Sequence, residues 1–284
     1  MVKDIFPTKK TLNLRGELYN LDSPKVMGIL NVTPDSFFDG GKYLVEERII
    51  KRIQILYEEG TDFIDIGGYS TRPGAEEITE EEEIKRIKNA IELVTKYYPN
   101  AFISIDTFRS GVAQVALDKG ACMVNDITGG SMDPKMLDAV AKHNVPLILM
   151  HMRGTPSTMQ TMTNYTNLIT DLVDELKLNC DRALNKGIND IIIDPGFGFA
   201  KTLDQNYELL KNLDYFKVLG FPMLAGISRK SMIYKHLKIS PEDALNGTSV
   251  LNTFALLHGA NILRVHDVKA AKEVIQLVGK LESS

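Results

Sequence analysis

Polar residues follow short apolar stretches at regular intervals along this chain. Asn31 follows the apolar stretch 26–30, Asp106 follows 102–105 and Asp194 follows 191–193. The other polar residues within or just after such stretches are Asp65, Asn125, Asp126, His151, Lys230, Arg264 and His266. In barrels of alternating strands and helices, the carboxyl ends of the strands meet at one face, which carries the active site. The pattern therefore predicts an active site built from many strand ends.

One part of this set suits a planar heterocycle. Asp106, Asn125 and Asp194 offer oxygen acceptors to a ring with several N–H donors along one edge, such as an amino-pyrimidinone. Lys230 could donate to the carbonyl or to a nitrogen of that ring. We therefore expect a heterocycle deep in the mouth of the domain.

A second part suits a phosphate. Arg264, His266 and Asn31 fall where the last strand meets the first, and barrels commonly bind phosphate near their last strands. Arginine gives bidentate contacts to phosphate. Arg72, on a Gly- and Pro-containing segment, is a second candidate cation.

Several of these residues also have a structural interpretation. His151 could cap the loop after the fifth strand as readily as contact a ligand, and Asp65 could orient the loop after the second strand. Asp126 has the character of a cap or turn residue. The adjacent Phe37 and Phe38 could pack within their loop, although a substrate-covering loop is the favoured interpretation.

The elements that position these residues alternate between strand and helix. Apolar stretches predict strands at 26–30, 63–66, 102–105, 122–124, 146–150, 191–193, 221–224 and 262–265. Amphipathic spacing predicts helices at 44–59, 80–97, 110–117, 134–142, 165–186, 204–212, 241–258 and 268–281. Eight such units predict a single-domain α/β fold, a (β/α)₈ TIM barrel, over 26–284. Residues 1–25 are expected to form a short appendage, with a hairpin that covers one end.

Composition excludes several classes of protein. The 284 residues are 44% hydrophobic and 25% charged, as in ordinary globular proteins, and the net charge of −4 disfavours nucleic acid and membrane surfaces as partners. The two cysteines, Cys122 and Cys180, have no metal-site spacing, so we expect buried thiols and a cytoplasmic location. The first residues lack the apolar core of a signal peptide, and no apolar run could span a membrane.

Eight segments in order resemble the dihydropteroate synthase family of pterin-binding barrels. They are MGILNVTPDSFFDGG (27–41), DIGGYSTRPG (65–74), ISIDT (103–107), VNDITGG (124–130), LMHMRGTP (149–156), DPGFGF (194–199), GISRKS (226–231) and RVHD (264–267). The resemblance runs from about Val26 to the C-terminus. It implies condensation of 6-hydroxymethyl-7,8-dihydropterin pyrophosphate with p-aminobenzoate, with Mg²⁺ as cofactor and sulfonamides as inhibitors.

The resemblance also implies roles for individual residues. The pterin would be held by Asp106, Asn125, Ile127, Met150, Asp194, Phe199, Gly226, Lys230 and Arg264, and the pyrophosphate by Asn31, Arg72, Arg264 and His266. The p-aminobenzoate would lie against Phe37, Thr71, Arg72, Pro73, Phe199, Lys230 and Ser231, with Asn31 near the Mg²⁺. Catalysis would rest on Asp35, Arg72, Lys230, Arg264 and His266. The loop Thr33–Gly41 is expected to act as a lid that orders only around substrates.

One departure and two alternatives accompany the resemblance. Tyr69 stands where Glu is more frequent in this family, which bears on how the second loop closes. The alternatives are a methyltetrahydrofolate–corrinoid methyltransferase and a non-catalytic pterin-binding homologue. A homodimer is implied, through apolar residues of the last helices that include Leu245, Val250, Leu251, Phe254 and Leu257.

Overall fold

A computed structural model of the chain describes residues 8–33, 42–70 and 77–283, with 42–45 described as backbone only. Two short strands, β1 (Thr11–Leu14) and β2 (Glu17–Asn20), pair antiparallel as a hairpin. The strands that follow are β3 (Lys25–Asn31), β4 (Phe63–Gly67), β5 (Phe102–Asp106), β6 (Met123–Asp126), β7 (Leu147–Met150), β8 (Ile191–Asp194), β9 (Leu224–Ala225) and β10 (Ile262–Val265). These eight strands of the described chain are parallel, in the order β8-β7-β6-β5-β4-β3-β10-β9.

The sheet curls into a barrel. A parallel bridge between Ile193 and Met223 joins the end of β8 to the residues just before β9, and the Ile193 N–H donates to Pro222 O at 2.9 Å. The two ends of the strand order therefore meet. The predicted (β/α)₈ TIM barrel is confirmed.

Helices follow the strands along the chain and lie on the outside of the barrel. They are α1 (Lys42–Glu58), α2 (Glu80–Tyr97), α3 (Ser110–Asp118), α4 (Met136–His143), α5 (Leu168–Asn185), α6 (Leu203–Lys211), α7 (Ser231–Leu237), α8 (Leu245–Leu257) and α9 (Val268–Glu282). Two 3₁₀ segments, Met159–Thr161 and Leu213–Leu219, lie in the connections.

Alternation along each strand divides the apolar residues between two cores. On β4, Ile64 and Ile66 pack outward in the core under the helices, whereas Phe63 packs inward with Met27 and Ile192. Successive side chains of a strand point to opposite faces. Asp65 therefore points inward, with Phe63.

The hairpin shares the inner core of the barrel. Leu12, Leu14 and Leu21 are almost fully buried and pack in the same cluster as Met27 and Phe63, which lie near the amino ends of their strands. Each buried leucine contributes about 1.5–3 kcal/mol. The hairpin thus closes the end of the barrel opposite the strand carboxyl ends.

The structure differs from the sequence prediction in a few elements. The strand predicted at 221–224 is only Leu224–Ala225, and the helix Ser231–Leu237 was not predicted. The helix predicted from residue 165 begins at Leu168, because the Asn167 side chain accepts from the Thr170 N–H at 3.1 Å and caps it. The helix predicted from residue 241 begins at Leu245.

Candidate active site

A largely buried cluster of two carboxylates, one amide and one guanidinium lies toward the carboxyl ends of β4, β5, β6 and β10. Arg264 donates through Nε to Asp65 Oδ2 and through Nη2 to Asp106 Oδ2, each at 2.6 Å. Asn125 Nδ2 donates to Asp65 Oδ2 at 3.0 Å. The structure thus brings together Asp106, Asn125 and Arg264, three residues predicted from the sequence.

The charges in this cluster are strongly coupled. Burial raises the pKa of Asp106 to about 7, against the opposing effect of Arg264, and the nearby negative charge of Asp65 adds to the rise. Burial alone would lower the pKa of Arg264, but Asp65 and Asp106 raise it above its ordinary value. Arg264 is therefore a permanent cation that two carboxylates share.

A second pair lies across the mouth, at the ends of β8 and β9. A Cβ on Gly226 would lie 3.7 Å from Lys230 Nζ and 3.8 Å from Asp194 Oδ2, so the glycine leaves the space beside both groups open. Lys230 Nζ also donates to Phe197 O and lies 4.7 Å from the centre of the Phe199 ring.

Burial shifts both groups of this pair. It lowers the pKa of the Lys230 ammonium to about 8, although Asp194 opposes the shift. It raises the pKa of Asp194, against the effect of Lys230. Each charge thus depends on the other in this low-dielectric site.

His266 has a lowered pKa and is held in place by Ser228. The Ser228 hydroxyl accepts from the His266 backbone N–H at 3.2 Å, and its Oγ lies 3.0 Å from His266 Nδ1. Burial and the charge of Arg264 lower the pKa of His266 to about 4. If the hydroxyl donates to Nδ1, the ring proton lies on Nε2.

Asn31 stands at the end of β3, next to the carboxylate cluster. A Cβ on Gly67 would lie 3.3 Å from Asn31 Oδ1 and 3.7 Å from Asp106 Oδ2, so this glycine keeps a space between them. Among the described residues, no group of three or more His, Cys, Asp or Glu could hold a metal. The amide oxygen of Asn31 is a ligand type that fits an ion such as Mg²⁺, which takes few protein ligands and is otherwise held by phosphate oxygens and water.

The segment after β8 is fastened from behind by a buried lysine. Lys201 Nζ donates to Gly196 O and Phe199 O, each at 3.0 Å, and lies 3.2 Å from His151 Nδ1. These acceptors use all three N–H bonds of an ammonium group. The Gly196 N–H in turn donates to Asp194 Oδ1 at 2.8 Å, so Lys201 supports the segment that carries Asp194 and Phe199.

His151 and Asp126 have structural roles here. His151 is buried between Lys201 and Glu175, whose Oε2 lies 3.0 Å from His151 Nε2, and burial lowers the pKa of His151 to about 4. Asp126 is fully buried and accepts from the Thr128 N–H and Oγ1 and the Gly130 N–H, at 2.7–2.8 Å. Both are satisfied within the protein.

Other predicted site residues lie at the expected end of the barrel or outside the described chain. Ile127 and Met150 are buried just after β6 and at the end of β7, and Ser231 begins α7. The predicted residues Asp35, Phe37, Thr71, Arg72 and Pro73, and with them most of the predicted lid, lie outside the described residues. Their roles stay predictions.

Three residues support the site, and two of them, Ser228 and Lys201, were not assigned to it from the sequence. Asp65 had a signal, because it is a charged residue inside an otherwise apolar strand. Ser228 lies within a motif but carries no distinctive charge. Lys201 lies two residues after the end of a motif, and only the folded chain shows that its side chain is buried.

The chain matches a family of known proteins over most of its length. A family model described as pterin binding enzyme matches residues 27–266. The barrel and its cluster of carboxylates, amide and cations at the strand ends belong to the matched region. The fold and this match define a pterin-binding enzyme.

Individual relatives narrow the class. A dihydropteroate synthase from Synechocystis sp. is 44% identical over 90% of this chain and 89% of its own length. The Yersinia pestis dihydropteroate synthase in a sulfonamide drug complex superposes with a TM-score of 0.90 at 39% identity, over 96% of this chain and all of the other. The Xanthomonas albilineans dihydropteroate synthase with 4-aminobenzoic acid superposes with a TM-score of 0.89 at 38% identity, over 98% of this chain and all of the other.

The chain belongs to the dihydropteroate synthase family of pterin-binding enzymes. Its activity is that of a transferase in folate biosynthesis. The comparisons do not favour the alternatives of a corrinoid methyltransferase or a non-catalytic homologue. Among the helices within residues 8–33, 42–70 and 77–283, none combines the length and the hydrophobicity of a membrane span.

Proposed function

We propose that the open end of the barrel joins 6-hydroxymethyl-7,8-dihydropterin pyrophosphate to p-aminobenzoate, with the residues above in defined roles. The observation that carries the proposal is the arrangement of two carboxylate–cation pairs at one rim, Asp106 with Arg264 and Asp194 near Lys230. A pterin offers N–H donors along one edge, and buried carboxylates are the strongest acceptors for them. Related enzymes bound to 4-aminobenzoic acid and to a sulfonamide support the second substrate and sulfonamide inhibition.

The pterin is recognised from two sides. At one part of the ring edge, Asp106 accepts a hydrogen bond and the Asn125 amide both accepts and donates. At another part of the edge, Asp194 accepts a hydrogen bond. Because burial raises the pKa of both carboxyls, N–H donors from a ligand stabilise the charged forms that burial disfavours. Lys230 donates to the ring from the opposite side of the slot.

The pyrophosphate lies toward Arg264, His266 and Asn31. Arg264 brings a permanent charge, and His266 donates through Nε2 as a neutral ring, since its pKa is about 4. Asn31 would hold Mg²⁺ through its amide oxygen, and the ion when bound supplies positive charge to the leaving group. Arg72 is proposed to assist from the second loop.

The reaction needs no strong base. The methylene C–O bond breaks with its electron pair going to the pyrophosphate, and the amine lone pair of p-aminobenzoate forms the new C–N bond. The arylamine is unprotonated at neutral pH and releases its extra proton to water afterwards. Asp35 is proposed to stabilise the pterin cation in an SN1-like route, with Phe37, Thr71 and Pro73 covering the arylamine.

The p-aminobenzoate is proposed to lie against Phe199 and Lys230, with its carboxylate toward Ser231. Lys230 and Ser231 are consecutive, and Ser231 is the first residue of α7. Ile127, Met150 and Gly226 complete the pterin slot. The buried thiols of Cys122 and Cys180 suit a reducing cytoplasm.

A homodimer through the last helices is proposed as well. On α8, Val250, Phe254 and Leu257 are 58%, 37% and 51% exposed, and on α9 Leu277 and Leu281 are about 70% exposed. Apolar faces of this kind mark contacts between proteins. Sedimentation of the wild type and of the Val250→Asp variant tests it, and a monomeric wild type contradicts it.

The deciding experiment follows release of pyrophosphate with both substrates and Mg²⁺, and identifies the product by mass. The wild type is expected to release pyrophosphate only with p-aminobenzoate present and to form dihydropteroate.

Lys230→Ala should lower kcat/KM at least about 100-fold, since it removes a charged donor from the slot. Lys235→Ala, at an exposed lysine of the helix α7 that follows Lys230, is the matched control. Release without dihydropteroate, or an unaffected Lys230→Ala enzyme, contradicts the proposal.

A further inference from the structure

Asp65 is a fully buried charged group near the pterin slot. It lies in the middle of β4, its side chain points into the barrel, and it is fully buried. An ionised carboxylate is costly to bury unless cations or N–H donors surround it. The position therefore needs an explanation beyond packing.

A single oxygen of Asp65 holds two residues of the slot. Oδ2 accepts from Arg264 Nε at 2.6 Å and from Asn125 Nδ2 at 3.0 Å. These bonds join β4 to β6 on one side and to β10 on the other. The planes of the guanidinium and of the amide are consequently fixed by the same carboxylate.

Asp65 and Asp106 share Arg264 but face different surroundings. The Asp65 side chain is 0% exposed, whereas that of Asp106 is 17% exposed. Arg264 uses Nε for Asp65 and Nη2 for Asp106. Of the two carboxylates, only Asp106 is open to a ligand. Asp106 can therefore exchange its hydrogen bond with Arg264 for one with a ligand, while the hydrogen bond between Arg264 and the buried Asp65 remains in place.

Stability alone does not account for a carboxylate at this position. Within the described residues, Asp65 Oδ1 is buried without a hydrogen-bond partner, as is Oγ of Ser104, its neighbour in register on β5. A buried polar atom without a partner loses its hydrogen bonds to water and gains none in return, which destabilises the fold. The side chain is therefore retained at a cost, with one oxygen committed to two site residues.

We propose that Asp65 is a positioning residue for the pterin pyrophosphate: it anchors Arg264 and Asn125 while Asp106 exchanges Arg264 for the N–H donors of the pterin. The exchange frees Arg264 Nη2 for the pyrophosphate, and Asp65 keeps the guanidinium paired during it. This inference rests on the proposed function of the site.

The test compares Asp65→Asn with Ser104→Ala. The first variant keeps the size of the side chain but removes its charge. The second removes a buried polar atom from the adjacent strand that has no partner. Asp65→Asn is expected to raise the KM for the pterin pyrophosphate about 10- to 100-fold, the equivalent of one charged hydrogen bond, and to leave the KM for p-aminobenzoate within about twofold. Ser104→Ala should change neither KM.

Equilibrium titration with the pterin pyrophosphate alone should show the same loss of affinity. If Asp65→Asn does not fold, Asp65→Ser serves instead, because its smaller side chain admits water. A folded Asp65→Asn variant whose KM for the pterin pyrophosphate is unchanged overturns the inference. So does a loss of kcat that is the same in Asp65→Asn and Ser104→Ala. A wild type that forms no dihydropteroate overturns the proposed function instead, so the two failures are distinguishable.

Discussion

Replacing Arg229 by Ala probes how the loop after β9 holds Lys230 in place. Arg229 has a φ of +54°, a left-handed conformation that is uncommon for a residue with a side chain. Its guanidinium binds Asp267 through Nε and Nη2, both at 2.8 Å, and Nη1 donates to the carbonyl oxygens of Pro241 and Glu242 at 3.2 and 2.7 Å. The side chain thus ties the turn before Lys230 to the end of β10 and to the segment before α8.

The magnitude follows from these contacts. Charge-assisted hydrogen bonds are worth about 1.5–3 kcal/mol when buried. The two side chains are 24% and 25% exposed, so solvent screening reduces the value. We expect Arg229→Ala to lower the free energy of unfolding by about 2 kcal/mol. The strained turn then lacks its restraint, and displacement of Lys230 should lower kcat/KM about 100-fold.

The assay is urea unfolding of Arg229→Ala, Asp267→Ala and the double variant, with steady-state kinetics on each. The coupling energy should be about 1–2 kcal/mol. Arg229→Lys, which keeps the charge but not the bidentate geometry, should fall between wild type and Arg229→Ala.

The pH dependence has a definite sign. The hydrogen bonds from Arg229 lower the pKa of Asp267 in the folded protein. The pair therefore stabilises the fold above the ordinary aspartate pKa, and this contribution is lost as the pH falls through the lowered value. The difference between wild type and Arg229→Ala should shrink in that acidic window. Additive effects in the double variant, or a difference that grows in acid, would refute the reasoning.

Two further predictions concern the segment behind Asp194. His151→Gln keeps one acceptor and one donor but does not titrate. The pKa of His151 is about 4 in the folded protein, below its value in the unfolded chain, so acid favours the unfolded state of the wild type. Between pH 7 and 4.5 the free energy of unfolding, measured with urea, should fall by about 2–3 kcal/mol more in the wild type than in the variant. Equal losses would contradict a neutral buried imidazole. Gly196→Ala should destabilise by about 2–4 kcal/mol, because its Cβ would lie 2.0 Å from His151 O at a φ of +74°. Gly187→Ala, at a φ of +84° with nothing within 4 Å, isolates the backbone cost, and an equal melting-temperature loss in both variants would refute the steric argument.

The sequence alone predicted the barrel because its signal is local. Each strand that is buried on both faces appears as a short apolar run, and each following helix has its own apolar stripe. Parallel strands also carry their following residues to one end, so Asp106, Asn125, Asp194 and Arg264 could be assigned to one face without knowing which strands pair. Those four residues meet at the rim as expected.

The same reasoning missed one short element, α7, and misplaced the bounds of another, β9. α7 has seven residues, fewer than the two full turns needed to show an apolar stripe. β9 has two residues and is defined by its neighbours rather than by its own composition. Such elements exist only because the rest of the barrel supplies their partners.

The pairing of charges was decided by the tertiary structure. Asp65 and Arg264 are 199 residues apart in the chain, and their contact depends on β4 and β10 lying on either side of β3. The enclosure of Lys201 likewise depends on β7 and β8 being neighbours, which brings His151 to the ammonium group. Residue types and spacing fixed which groups reach the rim; only the folded barrel decides which of them neutralise each other, because burial and pair distance set those energies and neither is a property of the local sequence.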